Sequence, residues 1–222
     1  MSRFYIYLIF FLMTLGATSQ SSFAWESAIA VNYSFKKWSF NSSIGHRTLK
    51  EKIDEVDKTR WAFWDVNQFI SRRLTPDLTF SAGYKYRKLD PSDHQGINEQ
   101  RATEQVAMIH KNDKIRLVSR VRFEQRFFTN TFEHRYRYRF SLDMPLSGLK
   151  VDVSEFYFVA SNEVLVSFSK AARQLDNRFN LGVGYMFSTN FQMQLDLTQR
   201  SENINSSTMH IPFITTAAII KI

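Results

Sequence analysis

The feature that most constrains this chain is a period-two alternation of apolar and polar side chains. In Lys114–Phe128 the even positions carry most of the charges, and the odd positions are mostly apolar. Phe132–Asp143 repeats the pattern, with Glu, Arg and Asp at odd positions and aromatic residues at even ones. A period of two places the two sets on opposite faces of a β-strand, whereas a helix would spread the arginines over all its sides. Each segment is therefore predicted to be a strand with one charged face and one apolar face.

Comparable segments recur along the whole chain after the first residues. The predicted strands are Ser27–Phe35, Trp38–Thr48, Trp61–Arg73, Leu78–Arg87, Arg101–His110, Lys114–Phe128, Phe132–Asp143, Lys150–Phe168, Asp176–Ser188, Phe191–Ser201 and His210–Ile220. Together they far exceed the roughly 20–25% strand content of ordinary soluble domains. We predict an all-β fold, a single antiparallel transmembrane β-barrel of 10–12 strands.

The first residues have the layout of a secretory signal peptide. Arg3 precedes an apolar run, Phe4–Leu15, which is too short to cross a bilayer as a helix, and a small, polar stretch follows. Cleavage is predicted after Ser19 or Ala24. Residues 1–24 are thus interpreted as the signal peptide and residues 25–222 as the barrel.

The connections and the strand count give two further expectations. Short turns at Lys36-Lys37, Thr75–Asp77, Asn112-Asp113, Pro145–Gly148 and Thr189-Asn190 alternate with longer polar loops at Leu49–Arg60, Leu89–Gln100, Ser169–Leu175 and Glu202–Met209. This alternation is typical of outer-membrane barrels, which usually have an even strand number. To reach an even number, either Ser27–Phe35 is not a full strand of the wall, or Lys150–Phe168 breaks near Ser161-Asn162.

Charge pairing predicts one register. If the residue numbers of opposing partners in the two Arg-rich strands sum to 259, Arg126 faces Glu133, Glu124 faces Arg135 and Arg116 faces Asp143. A sum of 261 keeps fewer opposite charges together and sets Arg126 against Arg135. Opposite charges across an antiparallel pair stabilise it, and like charges destabilise it. We therefore predict the sum of 259, with a tight turn at Thr129-Asn130.

Alternation alone leaves open which face lies inside. In a lipocalin-like soluble carrier the apolar face would line a ligand cavity, whereas in a membrane barrel it contacts lipid. The strand number, the strand lengths and the aromatic residues on the apolar faces favour the membrane barrel. The predicted aromatic girdle comprises Trp38, Trp64, Tyr84, Tyr86, Tyr136, Tyr138 and Tyr185.

Several segments resemble a known family. They are Arg116–Phe127, His134–Leu146, Asn162–Val166 and Asp176–Tyr185, together with Trp25 and Lys37-Trp38. They are similar to the signature segments of a bacterial outer-membrane barrel family catalogued as domain of unknown function twenty-four-ninety. The resemblance covers essentially the whole mature chain and implies a β-barrel in the outer membrane of a Gram-negative bacterium. The family has no established activity, so the resemblance implies no catalytic residues.

The charged faces of the two Arg-rich strands form a predicted lumen charge ladder. It comprises Arg116, Arg120, Arg122, Glu124, Arg126, Glu133, Arg135, Arg137, Arg139 and Asp143. One interpretation is a structural role in the cell envelope, with a lumen filled by an ion-pair network that includes further acids from Asp65, Glu155, Glu163 and Asp196. The other is passage or binding of small anionic solutes, because rings of arginine select anions. The expected partners are outer-membrane lipids and small anions, with no nucleic acid, and the expected state is a monomer.

No pattern in the sequence indicates an enzyme, a metal site or a cofactor. The chain has no Cys and only seven Gly, and its five histidines lack metal-ligand spacing. A lipid-modifying outer-membrane enzyme is the remaining alternative, and His134 on the apolar face is the residue to check. Its register partner is predicted to be Gln125, and no G-x-S-x-G motif occurs. We expect no catalytic residue and no cofactor.

Overall fold

Strands make up the regular structure of the chain. The computed structural model describes residues 22–53, 56–91, 97–170 and 172–222. The strands are β1 Ser22–Phe35, β2 Trp38–Ile53, β3 Val56–Arg73, β4 Leu78–Leu89, β5 Asn98–Lys111, β6 Arg116–Phe128, β7 Phe132–Pro145, β8 Phe156–Ser169, β9 Arg173–Ser188, β10 Phe191–Glu202 and β11 Met209–Lys221. In these ranges no helix has the length and hydropathy needed to span a membrane. The all-β prediction is confirmed, and each predicted segment corresponds to one strand.

The strands close into one barrel in which each strand pairs with its neighbours in sequence. All pairs are antiparallel except the one that closes the barrel, where β1 lies parallel to β11, with Ala24 opposite Phe213 and Asn32 opposite Lys221. Hairpins reverse the chain direction at each step, so the first and last of eleven strands must run the same way. Eleven strands fall within the predicted range of 10–12, whereas the expectations of a wholly antiparallel barrel and of an even strand number are wrong.

Both proposed ways of reaching an even number are also wrong. β1 is a full strand that pairs along its whole length with β2. β8 starts at Phe156, later than predicted, but it passes through Ser161 and Asn162 without a break. Asn162 is accommodated on the outer face because its side-chain amide exchanges two hydrogen bonds of 3.1 Å with that of Asn177 on β9.

The predicted register between the two Arg-rich strands is confirmed. Arg116 lies opposite Asp143, Glu124 opposite Arg135 and Arg126 opposite Glu133. The residue numbers of each pair sum to 259. The turn at residues 129–131 is closed by the backbone N–H of Phe128, which donates to the carbonyl of Thr131 at 2.9 Å.

The connections lie at two rims. The C-terminal rim, where β11 ends, holds connections 36–37, 74–77, 112–115, 146–155 and 189–190. The N-terminal rim, where β1 begins, holds the connections β2–β3, β4–β5, β6–β7, β8–β9 and β10–β11. The predicted division into a short-turn rim and a long-loop rim is wrong in two places. Connection 146–155 is the longest and lies at the C-terminal rim, and most of the predicted loop 49–60 belongs to β2 and β3.

The predicted signal peptide, residues 1–24, overlaps the start of β1. Residues 1–21 lie outside the described residues, so the segment and the predicted cleavage after Ser19 stay predictions. The alternative cleavage position, after Ala24, falls inside β1. Ala24 itself is fully buried and lies opposite Leu49 of β2 and Phe213 of β11.

The distribution of side chains is inverted relative to a water-soluble protein. Buried side chains are mostly polar or charged, with Glu99 and Glu124 at 0% exposure, whereas large apolar side chains are exposed on every strand. Along β6 and β7 the charged set points inward and the apolar set outward. This is the opposite of the lipocalin-like arrangement, in which apolar side chains surround the cavity.

Two inward-facing glycines on β9 make room for polar side chains in the lumen. A Cβ on Gly182 would lie 1.8 Å from an Oδ1 of Asp196, and one on Gly184 would lie 2.0 Å from the Tyr157 ring. The Tyr157 hydroxyl accepts a hydrogen bond from Gln192 at 3.1 Å and lies 3.2 Å from Oε1 of Gln194. Because these positions lack a Cβ, the Tyr157 ring and the Asp196 carboxylate can lie directly against the inner face of β9.

Candidate functional site

The predicted charge ladder lines the lumen along β6 and β7. Glu124 is its centre and accepts ion pairs from three arginines, Arg101 at 3.3 Å, Arg137 at 2.7 Å and Arg122 at 3.5 Å. Arg101 comes from β5, so the network extends beyond the two strands in which it was predicted. Arg122 also donates to Oε1 of Gln105 at 2.7 Å.

A second cluster of the ladder lies toward the N-terminal rim. Arg126 joins Glu99 at 2.7 Å and Glu133 at 2.5 Å, and Arg135 joins Glu133 at 3.0 Å. Arg135 also donates to the hydroxyl of Ser167 at 2.8 Å. Glu99 therefore supplies a buried carboxylate from β5 that the sequence analysis did not include.

The remaining ladder residues pair with β8 or with each other. Glu163 accepts from Arg120 at 3.0 Å and from Arg137 at 2.5 Å. Arg139 donates to the hydroxyl of Ser161 at 2.8 Å. Arg116 and Asp143 pair at 2.6 Å at the C-terminal rim, where the Arg116 side chain is 51% exposed.

The four acids expected from other strands behave differently from one another. Asp65 pairs with Lys85 at 2.9 Å and with Arg87 at 2.6 Å, and Glu163 pairs as described above. Asp196 points inward but accepts hydrogen bonds from the amides of Asn180 and Gln194. Glu155 lies in connection 146–155 and accepts from Ser147, so the prediction that it joins the lumen network is wrong.

A third cluster was missed because it joins strands from opposite ends of the sequence. Glu26 of β1 pairs with Arg47 of β2, and with Arg200 of β10 at 2.9 Å. The Arg200 guanidinium stacks on the inward-facing ring of Phe213, with 3.8 Å from Cζ to the ring centroid. Arg47 lies over the same ring at 4.8 Å. Stacking on an aromatic face fixes the plane of a guanidinium while leaving its edges free to donate.

The charged side chains meet around a central cavity of about 220 Å³. Nine of the eleven strands contribute to its lining, so the cavity lies near the barrel axis. Its charged lining consists of Arg47, Lys85, Arg87, Arg101, Arg122, Arg135, Arg137, Arg178 and Arg200 against Glu26 and Glu124. One contact reaches across the lumen, from Arg122 of β6 to the Phe69 ring of β3, at 5.3 Å. Chemically, the arrangement is a ring of hydrogen-bond donors with excess positive charge.

The predicted girdle residues all lie on the outer face. Trp38 and Tyr185 lie near the C-terminal rim, and Tyr86 and Tyr136 lie nearer the N-terminal rim. Trp64 packs against Tyr86, and Tyr185 against Phe156. Trp64, Tyr84 and Tyr138 lie near the middle of their strands and therefore do not belong to either rim.

His134 lies on the outer face among aromatic rings. Its ring is 5.5 Å from that of Phe123 and 4.5 Å from that of Phe132. Gln125 is its partner in the register, as predicted. In the part of the chain that the structure describes, no group of three or more His, Asp or Glu side chains is placed to hold a metal ion.

Comparison with known proteins agrees with this architecture. A solved structure described as "Bacterial polysaccharide outer membrane secretin" is 6% identical, with a TM-score of 0.50 over 81% of this chain and 73% of that chain. At this identity the likeness shows the fold alone. No curated protein matches the chain in sequence. The sequence profile of the family described as "Protein of unknown function (DUF2490)" matches residues 24–209, and the chain belongs to that family.

Proposed function

We propose that this protein is a monomeric β-barrel of the outer membrane of a Gram-negative bacterium, and that its lumen is a narrow, anion-preferring passage. The observation that carries the proposal is the inverted distribution of side chains. Exposed rings and aliphatic side chains cover the outer face, and carboxylates and guanidiniums fill the interior. In water this large apolar surface would stay exposed to solvent, which is unfavourable. In a membrane the acyl chains of the lipids would cover it.

One prediction and one comparison also support the location. The predicted signal peptide would direct the chain out of the cytoplasm. The fold is also similar to that of the bacterial polysaccharide outer membrane secretin. A barrel closed by β1 and β11 within one chain has no open sheet edge, so the proposal needs only one copy.

The lining of the lumen supports a narrow, anion-preferring passage rather than a wide pore. Nine cationic side chains and two carboxylates border the central cavity. Rings of positively charged side chains favour the passage of anions. Side chains from most strands converge there, as expected when a barrel of this size is filled by its own side chains. We assign no reaction to the protein, and His134 is interpreted as part of the aromatic outer face.

Planar bilayer recording of the protein purified from outer-membrane fractions tests the proposal. We expect a small conductance with a reversal potential that reports anion preference in a salt gradient. A wide, unselective conductance, a cation preference, or insertion without any current would contradict the passage. Recovery of the protein in the soluble periplasmic fraction, without detergent, would contradict the location.

A further inference from the structure

Arg178 of β9 differs from the other arginines that line the central cavity. Among the described residues, it makes no hydrogen bond and no ion pair. Its opposite residue on β8 is Glu163, but that carboxylate is engaged by Arg120 at 3.0 Å and Arg137 at 2.5 Å. Asp176, the preceding inward residue on β9, accepts instead from the backbone N–H of Asn203 at 3.0 Å. Arg178 thus lies beside acids that are already occupied.

On the other side, Arg178 faces a second arginine. Its partner in the β9–β10 register is Arg200, so two like charges lie directly opposite each other. Such a pair destabilises a sheet unless a counter-charge lies between its members. Arg200 cannot turn away, because its guanidinium is held by Glu26 at 2.9 Å and stacks on Phe213.

Both arginines have unused donors that are buried. The Nε atoms of Arg178 and Arg200 are shielded from solvent and have no hydrogen-bond partner. A buried donor without a partner is destabilising, because it has lost its hydrogen bonds to water and gained none. The pair therefore combines the unpaired charge of Arg178 with the guanidinium of Arg200 that Glu26 holds, and both side chains line the same cavities.

That space is accessible from one rim. Arg178 and Arg200 line the central cavity and also the cavities on either side of it, of about 510 and 320 Å³. The larger one extends to Glu202 and Asn203 at the N-terminal rim. The volumes are ample for an ion of a few heavy atoms, since one water needs about 10–15 Å³.

From this geometry we infer that Arg178 and Arg200 form a binding site for a small doubly charged oxyanion of the phosphate class. A planar guanidinium donates two parallel hydrogen bonds to phosphate oxygens, so two opposed guanidiniums match a dianion with several oxygens. The inference rests on the proposed function and adds a ligand class and a location to it. It moves the anion site away from the predicted ladder, whose arginines are engaged by carboxylates, amides or hydroxyls.

Inorganic phosphate is the probe, added to the folded full chain in detergent micelles and compared with sodium chloride at equal ionic strength. We expect phosphate to raise the thermal unfolding midpoint of the parent protein, because a ligand that binds only the folded state stabilises it. In Arg178→Gln the apparent Kd for phosphate should rise by about tenfold or more, because the variant loses one charged hydrogen-bond donor. Arg116→Gln is the matched control, because Arg116 lies outside these three cavities, and it should bind as the parent does.

Two further results separate a binding role from a structural one. Without phosphate, Arg178→Gln should unfold at the same temperature as the parent or higher, because it removes the repulsion with Arg200. Arg178→Lys, which keeps the charge but not the planar fork, should bind phosphate more weakly than the parent and more tightly than Arg178→Gln. Equal shifts in phosphate and chloride, or equal phosphate binding by Arg178→Gln and the parent, would overturn the inference. A membrane-inserted, anion-preferring protein that ignores phosphate would overturn this site alone and leave the proposed function standing.

Discussion

Replacing Glu124 by glutamine is expected to lower the free energy of unfolding by about 3–5 kcal/mol. The Glu124 carboxylate is fully buried and lies within ion-pair distance of Arg101, Arg122 and Arg137. Its neutralisation leaves three guanidiniums close together in the lumen with one fewer counter-charge. Removing one partner from a buried ionic cluster costs more than the pair itself contributes, because the remaining charges stay desolvated. Urea titration in detergent micelles, followed by intrinsic fluorescence, measures the change.

Asp143→Asn is the matched control for this prediction. Asp143 also pairs with an arginine of β6, but Arg116 is half-exposed at the C-terminal rim. An exposed pair contributes about 0–1 kcal/mol, so this variant should lie close to the parent. Equal and small losses for Glu124→Gln and Asp143→Asn would mean that the lumen network does not hold the barrel together.

Leu195→Arg is expected to destabilise the protein in lipid bilayers by about 2–4 kcal/mol. Leu195 is 53% exposed on the outer face, in the first half of β10, with Val183 and Thr216 as its neighbours across the sheet. A guanidinium placed there must leave water if the outer face contacts acyl chains. Refolding into vesicles at several urea concentrations gives the difference from the parent.

A second arginine substitution controls for the change of residue type. Phe187 is similarly exposed, at 50%, but lies one residue from the end of β9 at the C-terminal rim. At the level of the headgroups, Phe187→Arg should cost only about 0–1 kcal/mol. Substitutions at exposed positions of soluble proteins usually change the free energy of unfolding by no more than about 0.5 kcal/mol. A change that small for Leu195→Arg would mean that the outer face does not contact lipid.

The alternation of side chains was sufficient to predict the strands and one register. In β6 and β7 the opposite charges occur at spacings that satisfy only one alignment well, so Arg126 could be matched with Glu133 from the sequence. The strand number was harder to predict, because the even strand number of most bacterial barrels is an empirical tendency. It does not follow from the physics of this chain, in which β1 and β11 pair in parallel.

The interior could be predicted only in part, because lumen contacts join strands that are distant in sequence. Glu26 and Arg200 lie 174 positions apart and meet across β11. The inward rings of Phe63 and Phe213 follow the alternation of β3 and β11, but nothing in the sequence states that arginines stack on them. That Arg178 has no ion-pair partner becomes clear only when the partners of Glu163 are known. From the sequence alone, Glu163 could pair with Arg178 as well as with Arg120.

The most direct test of the orientation uses the four tryptophans of the chain. Trp25, Trp38, Trp61 and Trp64 all lie on the outer face, and all of them except Trp64 lie toward one rim or the other. After reconstitution into vesicles whose acyl chains carry bromine near the headgroup, tryptophan emission should be quenched strongly, while aqueous iodide should have little effect. Strong quenching by iodide with little effect of the brominated lipid would contradict the account, because the rings would then face water.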